Sequence, residues 1–180
     1  MKKRKKIQVY FNEKTFRDRG SGLVKHQMPK YLNQIKALKK INKSIVTNNK
    51  FLINKEGNIK IYYAPFDYVN SKAKIMIVGI TPGLQQMLQS FQVINDGKSL
   101  KEVKDLSSFK GSMRTTLIKY LDELKVNKQL KIKSCESLFN KNSKHLHTTS
   151  LVKYPVFDKG KNYSGANILK KKILINFIEK

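Results

Sequence analysis

Residues able to do chemistry cluster in the middle of this chain. Gly79-Ile80-Thr81-Pro82-Gly83 ends a near-continuous apolar run, Lys74 to Ile80, and precedes apolar residues at helical spacing. A buried strand, a tight Gly/Pro turn and a helix form the arrangement in which open α/β sheets place ligands, at the carboxyl end of a strand. Glycine permits the close backbone approach that contacts from main-chain amides need. Thr81 can hold a water, but its hydroxyl is no general base at neutral pH. Gly111-Ser112 opens another helix, where free amides and a Ser cap can receive a phosphate oxygen; an ordinary N-cap is the plainer reading of Ser112. His145 and His147 hint at a metal, since side chains two apart on a strand face the same way. No third ligand is evident, Asp158 being the nearest acidic residue downstream, so structural or phosphate-facing histidines are expected. Cys135 stands alone, which rules out an intramolecular disulfide framework and an all-cysteine metal site. No metal and no cofactor are expected, and no P-loop or dinucleotide fingerprint occurs.

The elements that must position these residues show in the periodicity. From Pro29 onward, Tyr31, Leu32, Ile35, Leu38 and Ile41 recur at helical spacing with lysines between them, which predicts an amphipathic helix. The segments FLINK and IKIYYA flank Glu56-Gly57-Asn58 and predict a β-hairpin stopped by Pro65. Lys74 to Ile80 predicts a strand buried on both faces in a parallel sheet. Leu84, Met87, Leu88 and Phe91 share one stripe of the helix that follows. Residues 99 to 105 predict a short helix, and 112 to 125 a longer one with Leu117, Tyr120, Leu121 and Leu124 inward. A second buried strand is predicted over His147 to Val152, then a turn-rich segment, PVFDKGKNYSG. The last stretch, ANILKKKILINFIEK, carries Ile168, Leu169, Ile173, Ile175 and Phe177 and predicts a final helix, with strand the lesser option. No internal repeat is visible.

A chain of 180 residues with 39% apolar content can furnish one α/β core, here residues 28 to 180 behind a basic N-terminal arm over 1 to 27. The formal net charge of +26, from 38 Lys+Arg against 12 Asp+Glu, would concentrate a polyanion around the protein. Arginine occurs only at Arg4, Arg17, Arg19 and Arg114, so an AT-rich coding bias explains part of the lysine excess. Such a bias does not by itself deplete acids, and acids are scarce; nucleic acid is the favoured partner and a charged membrane surface the weaker one. MKKRKK starts like a signal peptide, but charges occupy the place of an apolar core, and no run of the ~18 residues needed for a membrane span is present. A cytoplasmic protein is expected.

Three blocks in order resemble the uracil-DNA glycosylase superfamily. Val78-Gly79-Ile80-Thr81-Pro82-Gly83 is similar to its first motif, a buried strand ending in G-x-x-P-G. Phe109-Lys110-Gly111-Ser112 resembles the F-x-G segment before a helix in the bacterial and archaeal branches, and Thr149-Ser150-Leu151-Val152-Lys153-Tyr154-Pro155 resembles the T-N-x-x-K-x-x-P block. Tyr63-Ala64-Pro65-Phe66-Asp67 and Gly160-Lys161-Asn162-Tyr163-Ser164-Gly165 look like a lesser-known glycosylase-like branch, so the resemblance covers residues 60 to 165. It implies a three-layer αβα fold with a mostly parallel central sheet, lacking a last strand or strands. It implies DNA, single- or double-stranded, as partner of a monomer. A base extruded from the stack, at a cost of a few kcal/mol, would be gripped by stacking and by hydrogen bonds to its edge. By family position Phe109 would stack on that base, though a helix-entry anchor is an equal reading. Gly79, Thr81, Pro82 and Gly83 would present amides and a water, Ser150 would meet the base edge, and Lys110, Gly111, Ser112, Lys153 and Lys161 would meet phosphates; each lysine also reads as merely solvated.

Departures from the pattern qualify what it implies. Where the motif often carries Asn, Asp or Glu to orient water stands Thr81, and where an Asn reads the uracil edge stands Ser150, without a paired amide. The closing loop centred on H-P-S does not follow the strand at 147 to 153, which points either to a shortened chain or to a member that binds without cutting. Two functions follow: a base glycosylase acting on uracil or a modified pyrimidine, in repair or in defence against phage DNA, and a non-catalytic nucleic-acid-binding protein. A nucleotide- or RNA-binding α/β protein is a weaker third.

Overall fold

The computed structural model of the chain describes residues 8–11, 27–141, 143–165 and 167–178. Its strands form two sheets. In the first, β1 (Gln8–Phe11), β4 (Ile75–Gly79) and β5 (Leu146–Ser150) lie in the order β1-β4-β5. The β4–β5 pair is parallel, with Gly79 opposite Ser150, and β1 runs antiparallel along the other edge of β4. The second sheet is antiparallel throughout, in the order β2 (Leu52–Glu56), β3 (Ile59–Tyr62), β6 (Val156–Asp158), β7 (Lys161–Asn162). The chain is therefore mixed α/β. The mostly parallel sheet expected from the sequence is represented, among the described residues, by one parallel pair. The segment expected to be an arm over 1 to 27 contributes β1; the rest of it, residues 1–7 and 12–26, lies outside the described residues.

Turn chemistry accounts for both hairpins. Gly57 at φ +55 closes β2–β3, as the Glu56-Gly57-Asn58 signal predicted. The segment read only as turn-rich folds into β6–β7, where Lys159 and Gly160 both take positive φ, the requirement of a two-residue hairpin turn. The passage from the first sheet to the second after β5 is short. Leu151 and Val152 donate to the carbonyls of Gly79 and Ile80, and the chain then leaves β4 so that Pro155 accepts from Tyr62 beside β3.

Helices flank these sheets. The first, α1 (Met28–Lys36), buries Tyr31 and Ile35 as its stripe requires. It stops before Leu38 because the Asn95 side-chain amide donates to the carbonyls of Ile35, Lys36 and Leu38, satisfying groups that further turns would otherwise bond. After the single turn α2 (Lys43–Val46) and the first hairpin come α3 (Leu84–Asn95), α4 (Leu100–Ser107) and α5 (Ser112–Glu123). In α3, Met87 and Phe91 are fully buried, Phe91 meeting Phe51 edge-on at 4.8 Å. Leu117 and Leu121 of α5 face inward as predicted, whereas Tyr120 and Leu124 are exposed; the apolar stripe is narrower than the sequence suggested. The short α6 (Val126–Gln129) follows. The predicted final helix is reduced to α7 (Lys172–Ile175), preceded by a 3-10 turn over Ile168–Lys170. There Ile173 and Leu174 are buried, Ile175 is exposed, and Ile178 bridges to Val152 in antiparallel fashion.

Two apolar clusters result. Ile75 and Ile77 of β4 pack with Phe109, Leu117, Leu121 and Leu138, while the larger cluster joins α1, α3 and the hairpins around Tyr63, Phe51 and Ile61. The alternate residues of β4, Met76 and Val78, are only half-buried, so burial on this strand alternates and is not continuous on both faces.

Candidate functional site at the end of the parallel strand pair

At the carboxyl ends of β4 and β5 the three sequence blocks meet. A methyl group on Gly79 would lie 3.2 Å from the Phe109 ring and 3.3 Å from Ser150 Oγ, so hydrogen at this position lets the ring and the hydroxyl close on the strand. A narrow cleft of about 20 Å³ lies here, room for about one water molecule. Its walls are two aromatic rings, Phe66 and Phe109, with Pro82, and its polar lining comes from Gln86, Ser108, Thr149, Ser150, Lys104 and Lys153.

Phe109 is 5% exposed and belongs to the cluster beneath β4 as well as to the cleft wall. Its φ of +54 lies in the left-handed region, unusual for a bulky side chain and costing on the order of 1–3 kcal/mol. The surroundings enforce it. Phe109 N–H donates to Gln86 Oε1 at 3.1 Å, and Arg114 Nε donates to the preceding carbonyl, Ser108 O, at 3.0 Å. With Oε1 so engaged, the Gln86 amide nitrogen keeps its donors for the cleft.

The Pro-Gly turn is more occupied than the sequence implied. Thr81 Oγ1 donates to Tyr154 O at 2.8 Å and accepts from Val156 N–H at 3.1 Å, tying the turn to the strand that crosses between sheets. Its one proton is thus engaged, and Thr81 acts as a strut with a single lone pair left for a water. Asn162 Oδ1 accepts from Leu84 N–H at 3.0 Å, so one amide at the start of α3 is already satisfied. The same Asn162 side chain would touch a methyl on Gly83, and a methyl on Gly165 would collide with Ile80 at 2.5 Å. Asn162 and Gly165 therefore pack on the turn, while Gly160 meets nothing within 4 Å and serves the β6–β7 hairpin turn.

The predicted phosphate contacts divide. Lys110 and Gly111 line a broad open groove of about 650 Å³ beside α3, where the Lys110 ammonium bonds Gln89 Oε1 and Gln85 stands close to Gly111. Lys161 is exposed on β7. Lys153 is not a mouth residue in solvent: it is 6% exposed and pairs with Asp67 at 3.3 Å. Asp67 also accepts from the Tyr63 hydroxyl at 2.8 Å and from that of Tyr154 at 3.2 Å. Burial first, and then the Asp67 carboxylate, push the Tyr63 phenol far above its ordinary value, so it stays a proton donor. Ser112 is not the cap of α5: Gly111 holds that position at φ +94, and no side chain caps the helix. His147 is buried and its Nδ1 accepts from Asn70 N–H at 3.4 Å, while burial, with Lys74 and Lys144 next, lowers the His145 pKa. Among the described residues no three His, Cys, Asp or Glu converge on a point.

Sequence reasoning assigned no role to Phe66, Gln86 or Lys104. Phe66 lay inside a quoted block, but its ring direction depends on the turn after β3. Lys104 is 7% exposed, its ammonium donating to Thr148 O at 2.7 Å and standing 5.9 Å from the Phe66 ring centre. One of two lysines on a helix that also carries Glu102 and Asp105, it has no distinguishing signal in the sequence.

The chain is similar to the uncharacterized protein YoxB of Bacillus subtilis (strain 168), with 36% identity over 134 residues. That match covers 69% of this chain and 52% of YoxB, so the chain spans about half the length of the curated relative it matches. No protein-family model and no solved structure matches the chain. No helix among the described residues is long and apolar enough to cross a membrane.

Proposed function

We propose that the chain is a DNA base glycosylase of the uracil-DNA glycosylase type, whose cleft receives a flipped uracil-like or modified base. The observation that carries this reading is the meeting of Gly79, Phe109 and Ser150, one from each motif, within contact of a single point. Motif residues 30 to 70 positions apart need not meet in an unrelated fold. The enforced left-handed backbone at Phe109 adds to it, because such strain persists where a side chain must be aimed. The cleft would have to open for the base, with Phe109 and Phe66 in its walls, and Ser150 Oγ with the Gln86 amide would read the base edge, the amide restoring donors that serine lacks. A three-layer αβα arrangement with a mostly parallel central sheet, as in that superfamily, belongs to this proposal, with β4 and β5 as its parallel pair and β1 as an antiparallel edge. The duplex would lie across the groove at Lys110 and Gly111, with Lys161 contributing from β7, in repair or in defence against phage DNA within the cytoplasm.

Binding without catalysis is favoured by one observation: among the described residues no carboxylate lines the cleft, and the Thr81 proton is engaged, so no group there is an evident base for water. Incubation of the chain with oligonucleotides bearing uracil, hypoxanthine or hydroxymethylcytosine, followed by alkali and a gel, separates the two. Cleavage lost in Phe109→Ala and Ser150→Ala supports the glycosylase. Salt-sensitive binding with no cleavage of any of the three supports the binding protein.

A further inference from the structure

From Met28 to Lys55 the chain carries seven lysines, all exposed, and no Asp or Glu. None of the seven forms an ion pair among the described residues. The stretch lies outside residues 60 to 165, the part that resembles a glycosylase. Two anchors set its middle along α3. Asn95, the last residue of that helix, holds the carbonyls of Lys36 and Leu38, and Ile41, Asn42 and Lys43 line the same groove as Gln85, Leu88, Gln89 and Gln92. Lys39 and Lys40 fall between the anchors. Lys110 and Gly111, which follow the cleft residue Phe109, complete the lining, and Lys110 keeps its charge because its partner, Gln89, is neutral. The lining holds no carboxylate; Asp96, bonded to Gln92 Nε2, stands outside it.

The chemistry of this face suits a phosphodiester backbone. Gln85 to Gln92 spans ~10 Å of helix axis, the length of about three phosphates on one strand of a duplex. The aromatic residues of the stretch, Tyr31 and Phe51, are buried and none lines the groove, so the bases of a single strand find no stacking platform. A duplex keeps its bases stacked on one another and needs only backbone contacts. An anionic membrane fits less well, because no large apolar side chain of residues 28–55 is exposed to enter it. We propose that the lysine surface of α1 and α2, with the groove along α3, receives the backbone of a duplex nucleic acid and carries it away from the cleft without reading its sequence. This extends the placement of a duplex at Lys110 and Gly111, and it stands whether or not the cleft cuts.

The full chain is titrated with an unmodified duplex and with the matching single strand by filter binding, and with phosphatidylserine–phosphatidylcholine vesicles by cosedimentation. A variant joining Lys39→Gln, Lys40→Gln and Lys43→Gln is expected to bind duplex about a hundredfold more weakly at ~0.1 M salt. The slope of log affinity against log salt is expected to shrink by about 2–3, since each lost phosphate contact removes ~0.9. A second variant, Lys119→Gln, Lys128→Gln and Lys133→Gln, removes the same charge from elements of the other apolar cluster and is expected to leave that slope nearly unchanged. Circular dichroism checks that both are folded. An equal loss in the two variants overturns the proposal in favour of diffuse charge. Tighter binding of the single strand overturns the duplex, and vesicle binding without duplex binding makes the face a membrane surface instead. Cleavage of uracil-bearing oligonucleotides is read separately: its absence fails the glycosylase reading and leaves this face in place where the duplex results hold.

Discussion

Gly79 shows how much one hydrogen atom decides. With 3.2 Å to the Phe109 ring and 3.3 Å to Ser150 Oγ, an added methyl must displace one of two groups that are themselves held, the ring by an enforced backbone and the hydroxyl by strand pairing. Gly79→Ala is expected to cost about 1–3 kcal/mol, the range for overpacking, and to abolish ligand binding in the cleft. Urea unfolding and binding of a uracil-bearing oligonucleotide check the two effects separately. Asp67 is the other decisive residue, since removing one partner of a buried pair leaves a charge without compensation. Asp67→Ala is expected to lose about 3–5 kcal/mol, measured in the same unfolding experiment, with Asp67→Asn milder because its one carboxamide oxygen still accepts from one of the two hydroxyls of Tyr63 and Tyr154. The motif glycine and the identity of Phe109 were legible in the chain. The burial of Lys153 was not, because a lysine after a strand reads the same whether an aspartate 86 positions earlier folds against it or not.

Each element that carries a cleft residue is fastened by local side-chain bonds. For α4, which holds Lys104, Ser99 and Glu102 form a reciprocal capping box. Ser99→Ala is expected to destabilise the protein by about 1 kcal/mol. Hydrogen exchange of the amides of α4 is expected to rise more than that of α3, which would distinguish local fraying from a global loss. For α5, Asp122 accepts from Cys135 N–H and the Ser134 hydroxyl at 2.8 Å each. Burial by itself would raise this carboxyl, but those hydrogen bonds outweigh it and the net shift is downward. A carboxyl depressed in the folded state adds stability above its unfolded pKa of ~3.9 and loses it as pH falls through the folded value. Asp122→Asn is therefore expected to flatten the acid limb of a stability–pH curve below that point, with little change in its slope near neutrality. The same contact, after burial, pushes the Cys135 thiol up to about 12, in keeping with an unreactive core cysteine. Helices and the first hairpin were readable because their signals are local: a period, a cap, a Gly turn. Where α1 ends was not, since Asn95 stops it from another element.

At the scale of the whole molecule the net charge of +26 dominates. If nucleic acid is the partner, affinity for generic duplex is expected to fall by about 10³–10⁵ between ~50 and ~200 mM salt for six to ten phosphate contacts. Filter binding across that range checks it, and a flat response would remove DNA from consideration. The stretch Leu151 to Pro155 carries the chain from the first sheet to the second beside the cleft, and Thr81 ties that stretch to the turn.

The sequence by itself determined the main helices and strands from α1 to β5, though not β1 or the single turns α2 and α6, and with them the first glycine turn and the net charge, because each follows from residues adjacent along the chain or from composition alone. It also placed Phe109 and Ser150 near the Pro-Gly turn by resemblance. Tertiary structure alone decided that the sheet is split and largely antiparallel, that Lys153 is paired within, that Thr81 is a strut, and that Lys104 stands over Phe66. Those outcomes depend on which distant groups share a desolvated space, and burial turns an ordinary lysine or threonine into a fixed charge or a tether only once its partners arrive.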